Sequence, residues 1–322
     1  MSATAQPTAS LVTSDLKAAL RMAERRLADV VADGIDEVTV PGGATLSAGG
    51  KRLRPLLVFA WAGSGSDDAV IRSAAAVELV HMATLVHDDL LDGATMRRGR
   101  ETVASSHGPD AAIQVGDYLF AQAFAELAGA GEPQAVAVLA GSALDLSRGE
   151  LAQGRAAFDV TLTEDAYLDR VRRKTASLFA AACRLGAMIG GASDAAQANA
   201  AAYGEAVGMA FQIFDDILDV TGDAADTGKR RGADLRDGTI TLPMIYAIEI
   251  DREIAGAISA IRDDAGIDAL CDRLVGHPGT QRARQLALAY VGDARAILDG
   301  ELDGADRRAL TLVADGVVDR YA

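Results

Sequence analysis

The sequence predicts an all-α protein, with long helices packed around a shared core. Three observations carry that expectation. Apolar residues recur at helical spacing along most of the chain. Half of the residues are apolar while aromatics make up only 4%, and the alternating β-branched and aromatic runs that mark half-buried strands are nearly absent. Clusters of Gly, Pro, Asp and Ser separate the periodic segments where helices would end.

The elements follow in order. Residues 1–13 read as a disordered N-terminus, and 14–322 as one domain. From Ser14 the apolar positions Leu16, Leu20, Ala23, Leu27 and Val30 outline a first helix. Residues 41–50 read as a glycine-rich loop ending in GGKRLRP. Helices are predicted over 55–62, 69–92, 111–128, 134–153, 164–190, 195–221, 241–249, 252–262, 280–299 and 306–320. No short-period repeat, no low-complexity linker and no convincing strand pair is found.

The chain has 322 residues and a formal net charge of −15, which disfavours non-specific binding to nucleic acid or to an anionic membrane surface. Cys183 and Cys271 are the only cysteines and form no CxxC pair, so a structural zinc site is not expected. Both are expected to be reduced, as in a cytosol. The N-terminal MSATAQPTASLVTSD is polar and has no apolar signal-peptide core. The segment ASLFAAACRLGAMIGGA contains Arg184 and small residues and reads as a buried core helix rather than a membrane span. A soluble cytoplasmic protein without a transmembrane segment is expected.

Two acidic clusters share the spacing DDxxD: Asp88-Asp89-Leu90-Leu91-Asp92 and Asp215-Asp216-Ile217-Leu218-Asp219. On a helix, residues four apart share a face, so Asp88 pairs with Asp92 and Asp215 with Asp219. Gln212 extends the second stripe by one turn. Gly93 follows the first cluster and Thr221-Gly222 the second, which places both at helix C-termini, where partial negative charge disfavours carboxylates. A compensating cation is needed, from basic side chains or from a divalent metal. Carboxylates combined with water and phosphate oxygens suit Mg²⁺. The bland alternative, solvated acidic helix ends, is weakened by the repetition of the pattern behind two long apolar helices.

The bases are grouped as well. Lys51, Arg52 and Arg54 lie in GGKRLRP; Arg97, Arg98 and Arg100 follow the first acidic cluster; Arg172, Arg173 and Lys174 precede Thr175; Lys229, Arg230 and Arg231 follow the second cluster. Arg172, Arg173, Arg230 and Arg231 read best as solvated charges. Together the groups suggest sites for polyanions, because arginine offers bidentate forks to phosphate and lysine a point charge. Carboxylate pairs plus bases describe a cavity for diphosphates, with metal bridging carboxylate to phosphate.

In order along the chain, GGKRLRP, HMATLVHDDLLDGATMRRG, GDYLFAQAF, RKTASLF, FQIFDDILDVTGD and GKRRGADLRDGTITLP resemble the trans-isoprenyl diphosphate synthases, the polyprenyl synthetase family, from about Gly49 to Pro243. The resemblance implies the isoprenoid synthase fold, a helical bundle around a central cavity, and the family's substrate pair: isopentenyl diphosphate and an allylic diphosphate. It implies that Lys51, Arg54, His81 and Arg98 hold isopentenyl diphosphate. Arg97, Lys174, Thr175, Gln212 and Lys229 match contacts to the allylic diphosphate. Asp88, Asp92 and Asp215 match Mg²⁺ ligands, with Asp216 and Asp219 supporting. Asp88, Asp92, Arg97, Lys174 and Asp215 would carry catalysis. Some members carry a further lysine near Ala233 or Thr239 and this chain does not, which weakens a second lysine clamp on the leaving group. A homodimer is implied too.

The implied reaction is a head-to-tail condensation giving an all-trans polyprenyl diphosphate. Bulky residues just before the first aspartate motif stop chain growth in this family. Here the fifth and fourth positions before Asp88 are the small Ala83 and Thr84, with Val80 and Ala76 further up the helix. Each helical turn adds about 5.4 Å, close to one five-carbon unit, so a product of about thirty to fifty carbons is expected. Tyr118, Phe120 or Phe124 could supply the floor. Alternatives remain: Ala83 as a helix-packing residue, a product of fifteen to twenty carbons, a catalytic subunit needing a partner, a class I terpene cyclase, or a non-catalytic binding module.

Overall fold

The computed structural model describes residues 13–63, 67–222 and 231–319. The disordered N-terminus expected over 1–13 falls outside them except for Thr13, and Lys229 and Arg230 fall outside them too. The described chain is helical, as its periodicity predicts. It runs through α1 (Ser14–Ala32), α2 (Asp36–Ser47), α3 (Leu53–Ala62) and α4 (Asp68–Leu91), then a short hairpin of β1 (Met96–Arg97) and β2 (Arg100–Glu101). There follow α5 (Val103–His107), α6 (Pro109–Gly129), α7 (Pro133–Arg155), α8 (Glu164–Val171), a π-helical turn (Arg172–Ala176), α9 (Ser177–Ile189) and α10 (Asp194–Thr221). The last are α11 (Ala233–Arg236), α12 (Leu242–Ile250), α13 (Glu253–Ala260), α14 (Asp264–Leu274), α15 (Pro278–Leu298) and α16 (Arg307–Asp319).

Three expectations are corrected. Residues 41–50 are not a loop throughout, because α2 continues to Ser47 with Pro41 inside it. Asp36 and Glu37 in its first turn complement the helix dipole, and Val38, Pro41 and Gly42 are buried, so packing overrides the weak local propensity. The helix predicted over 164–190 is present, but not as a regular α-helix: it takes a π turn at Arg172–Ala176, with helical residues on both sides. The third is the strand pair, in which Met96 faces Glu101 and Arg97 faces Arg100. Two-residue strands are too short to leave a periodic trace, and the turn residues Arg98 and Gly99 both have positive φ, 51° and 75°, the condition for a type I′ hairpin.

The described residues form two compact units, each assembled from three stretches of chain: Met1–Ala143, Leu178–Ala201 and Gly300–Leu312 in the first, and Leu144–Ser177, Ala202–Asp299 and Val313–Ala322 in the second. In the first, α4 packs on α1, α3 and α6, and Val70, Ala74, Val77, Leu79, Val80 and Ala83 are all buried. A helix with neighbours on several sides is apolar nearly all round. That explains why α4 is the one described helix long and apolar enough to cross a membrane, with mean hydropathy 1.5, while 72% of that window is buried in protein. In the second unit α12 packs on α15, and α8 on the π turn.

A buried ionic contact ties the first unit together. Glu126 on α6, 4% exposed, accepts two hydrogen bonds from Arg26 of α1, both 2.7 Å, and a longer one of 3.3 Å from Arg72 of α4. Removing the carboxylate takes the partner from the partly exposed Arg26, while Arg72 keeps Asp68 at 2.6 Å. Glu126→Ala is expected to cost about 2 kcal/mol. Urea unfolding measures it, and an unchanged midpoint would show the contact to be energetically neutral.

Candidate active site

The first aspartate cluster ends α4, as its glycine predicted. Asp92 is the C-cap. Gly93 at φ 63° lets its N–H reach the Leu90 carbonyl and the Ala94 N–H reach the Asp89 carbonyl, a Schellman closure. Asp88 is half-buried, Asp92 exposed and Asp89 buried. The hairpin then folds the arginines back on the helix end, where Arg97 Nε donates to Asp89 Oδ1 at 2.7 Å. Thus the middle aspartate already has an internal counter-ion, and the outer two share the motif's open face by their spacing.

The predicted isopentenyl diphosphate residues lie in the same unit. Arg52, at φ 47°, precedes α3 in left-handed conformation and is spent on structure: it donates to Glu78 Oε1 at 2.6 Å and to the Leu46 carbonyl at 3.1 Å. Lys51 beside it is exposed. Arg54 lies over the Phe179 ring, 4.3 Å from its centroid, and burial brings its guanidinium down to about 10. Arg98 donates to the Gly49 carbonyl. His81 and Arg98 line one pocket together with Arg52, Arg97 and Arg100. Burial, and then the charges of Arg54, Arg98, Arg97 and Arg52, hold the His81 imidazole well below its ordinary pKa. It is therefore a neutral ring with one donor and one acceptor nitrogen among cations.

The chain-length positions are on the same helix. Val80 and Ala83 are fully buried and Thr84 nearly so. The Thr84 hydroxyl donates to the His81 carbonyl at 2.9 Å, so the side chain presents its methyl group. Of the residues considered for a floor, Tyr118 donates to the Val30 carbonyl at 3.1 Å, which ties α6 to α1. Phe120 stacks on His87 with ring centroids 6.0 Å apart.

The second aspartate cluster, in the other unit, forms the last turns of α10. Its three carboxylates have different surroundings. Asp216 is buried and accepts from Tyr167 Oη and Gln212 Nε2, both at 2.7 Å. Asp219 accepts from the backbone N–H of Ala233 at 3.0 Å and of Asp234 at 3.2 Å, so it caps α11. Asp215 is half-buried. Gln212 Oε1 accepts in turn from Thr175 Oγ1 at 2.8 Å. Lys174 lies in the π turn with Nζ 2.6 Å from Glu150 Oε2. Gly149 makes that approach possible: a Cβ there would stand 2.6 Å from the Lys174 backbone nitrogen. Tyr167, Arg170 and Asp234 belong to this cluster and were missed, because they lie many residues from the motif and form no pattern with it.

Burial pushes the Asp216 carboxyl up to about 7. Burial raises Asp219 too, with Asp215 adding to the shift. Asp234 is held well above the usual carboxylate range by burial and then by Asp219, Asp216 and Asp215. Such mutual repulsion fits a site that receives a cation. The carboxylate oxygens at each helix end are donors that fit Mg²⁺, which takes one or two carboxylates and completes its shell with water and phosphate oxygens.

One pH effect follows for His81. Because its folded-state pKa is depressed, the unfolded chain takes up the proton first as pH falls, and stability is lost below about pH 6.5. Ring-nitrogen NMR is expected to show neutral His81 at pH 6; a protonated ring there would contradict the arginine surroundings described.

Comparison with known proteins agrees with the motifs. The family profile described as Polyprenyl synthetase matches residues 36–269, more than half of the chain. The chain is 40% identical over 260 residues to heptaprenyl diphosphate synthase component 2 of Geobacillus stearothermophilus, covering 79% of this chain and 81% of that protein. It is 35% identical over 284 residues to the geranylgeranyl diphosphate synthase of Methanosarcina mazei, covering 85% and 87%. Among solved structures, the decaprenyl diphosphate synthase of Rhodobacter capsulatus superposes with a TM-score of 0.88 at 32% identity, over 98% of this chain and all of that one. With both aspartate motifs, their basic partners and this likeness in hand, the chain belongs to the polyprenyl synthetase family, prenyltransferases of the all-α isoprenoid synthase fold.

Proposed function

We infer that the chain condenses isopentenyl diphosphate head-to-tail with an allylic diphosphate, using Mg²⁺, to give an all-trans polyprenyl diphosphate of about thirty to fifty carbons, the length set by the turn spacing above Asp88. The observation that carries this reading is that each DDxxD ends a long helix beside its own basic or polar partners: Arg97 and the His81 pocket for the first, Gln212 and through it Thr175 for the second. The small Ala83 and Thr84 support the longer product. Residues 14–322 would act as one catalytic domain.

In this reading Lys51, Arg54, His81 and Arg98 hold the diphosphate of isopentenyl diphosphate, and neutral His81 donates one hydrogen bond without adding charge. Arg97, Lys174, Thr175, Gln212 and Lys229 hold the allylic diphosphate. Asp88, Asp92 and Asp215 would ligate Mg²⁺, with Asp216 and Asp219 supporting from their internal hydrogen bonds. Bound there, Mg²⁺ supplies positive charge to the leaving diphosphate. Arg97 and Lys174 stabilise that charge as the carbon–oxygen bond breaks. The alkene of isopentenyl diphosphate attacks the allylic cation, a carbon–carbon bond forms, and a proton leaves for the released diphosphate. Exclusion of water protects the cation.

The proposal includes a cytoplasmic homodimer. Leu144 and Leu151 on α7 are 52% and 63% exposed, with Ala137, Ala140 and Gly141 exposed on the same helix, an apolar stripe that a second copy could cover. The relative named component 2 motivates one other reading, a catalytic subunit that requires a partner.

Asp88→Ala and Asp215→Ala are each expected to lower turnover about a thousandfold or more with an unchanged circular dichroism spectrum. Retained turnover would remove the metal assignment. For chain length, purified protein is incubated with Mg²⁺, labelled isopentenyl diphosphate and a fifteen- or twenty-carbon allylic primer. Products well beyond twenty carbons are expected, and shorter ones from Ala83→Phe. Products stopping at twenty would place the floor elsewhere, and no elongation would favour the partner-requiring subunit.

A further inference from the structure

The second unit contains a buried polar network that joins motif residues to Tyr167 and Arg170, which no assignment above uses. Tyr167 on α8 has no exposed surface, and Asp216 is 4% exposed. The network runs from Tyr167 Oη to Asp216 Oδ2, from Gln212 Nε2 to Asp216 Oδ1, and from Thr175 Oγ1 to Gln212 Oε1, at 2.7, 2.7 and 2.8 Å. Tyr167 Oη and Gln212 Nε2 each donate to a different oxygen of Asp216. The Gln212 amide then has a single orientation, with its oxygen toward Thr175, and the Thr175 proton is committed as well. One acceptor thereby sets the polarity of a chain that crosses α8, the π turn and α10.

Arg170, one turn from Tyr167, is 5% exposed. Its Nη2 donates to the Ile240 carbonyl at 2.8 Å, and its Cζ lies 5.3 Å from the Tyr167 ring centroid. Nη1 is buried and has no hydrogen-bond partner among the described residues. Arg170 is thus a cation held between the Tyr167 ring and the Ile240 carbonyl.

We propose that Tyr167 and Arg170 are positioning residues of the second aspartate motif. Tyr167 fixes Asp216, and through it the Gln212 amide and the Thr175 hydroxyl. Arg170, anchored on the Ile240 carbonyl, holds the Tyr167 ring where its hydroxyl reaches Asp216. Neither residue touches substrate. The proposal rests on the diphosphate reading above, with Thr175 and Gln212 on the allylic side.

The test uses the full chain with Tyr167→Phe, Arg170→Lys and Arg170→Met. Binding of inorganic diphosphate in MgCl₂ is followed by calorimetry, and steady-state KM values are measured for both substrates. Tyr167→Phe is expected to weaken Mg²⁺-dependent diphosphate binding about tenfold, the scale of one internal hydrogen bond. It should raise KM for the allylic substrate by a similar factor and leave KM for isopentenyl diphosphate unchanged. Arg170→Lys should recover most of what Arg170→Met loses. A folded Tyr167→Phe protein with wild-type diphosphate affinity, or with both KM values raised equally, would overturn the proposal. So would an Arg170→Lys protein no better than Arg170→Met. If wild-type protein fails to condense the substrates, the proposed reaction fails, and the calorimetric comparison still decides the roles of Tyr167 and Arg170.

Discussion

Carboxylates gathered at the C-terminal ends of two helices face the negative end of each helix dipole, and much of the local structure answers that constraint. At the end of α4 the answer is covalent neighbourhood: a Schellman closure and a two-residue hairpin return Arg97 to Asp89 within eight residues. At the end of α10 it is assembled from distant segments. Tyr167 comes from α8, the amides of Ala233 and Asp234 from α11, and the Arg170 charge from α8 as well. In each cluster at least one aspartate is held by protein groups, so the three acids of a DDxxD do not perform one task.

Helical class and most helices were legible because α4, α6, α10 and α15 are long and periodic enough for their buried stripes to show. What was not legible was short or non-local. α2 was hidden by Pro41, Gly42 and Gly43, which lower local propensity, while burial of Val38 and Pro41 restores the helix. The π turn leaves no composition signal, although it is what sets Lys174 beside Glu150.

For the site, the spacing of the acids and the grouping of the bases were visible because they are written within single helices and loops. His81 and Arg98 were placed by resemblance, and they line one pocket. The division among Asp215, Asp216 and Asp219 could not be read, because three aspartates in one motif are the same letter. Their difference lies in partners: a tyrosine and a glutamine for one, two backbone amides for another. Arg52 shows the same limit. Standing between Lys51 and Arg54, it looks like a third phosphate ligand, yet Glu78 and the Leu46 carbonyl occupy its guanidinium.

The hairpin that carries the arginines has a consequence for engineering. Arg98 occupies a left-handed turn position where glycine or asparagine sits at lower energy, a difference of about 1 kcal/mol. Selection for heat resistance alone would therefore drift toward Asn or Gly at 98 and discard the side chain that faces the His81 pocket. A thermostable variant of this chain is better sought on surfaces remote from the hairpin, since here local backbone comfort and the place of Arg98 in that pocket pull in opposite directions.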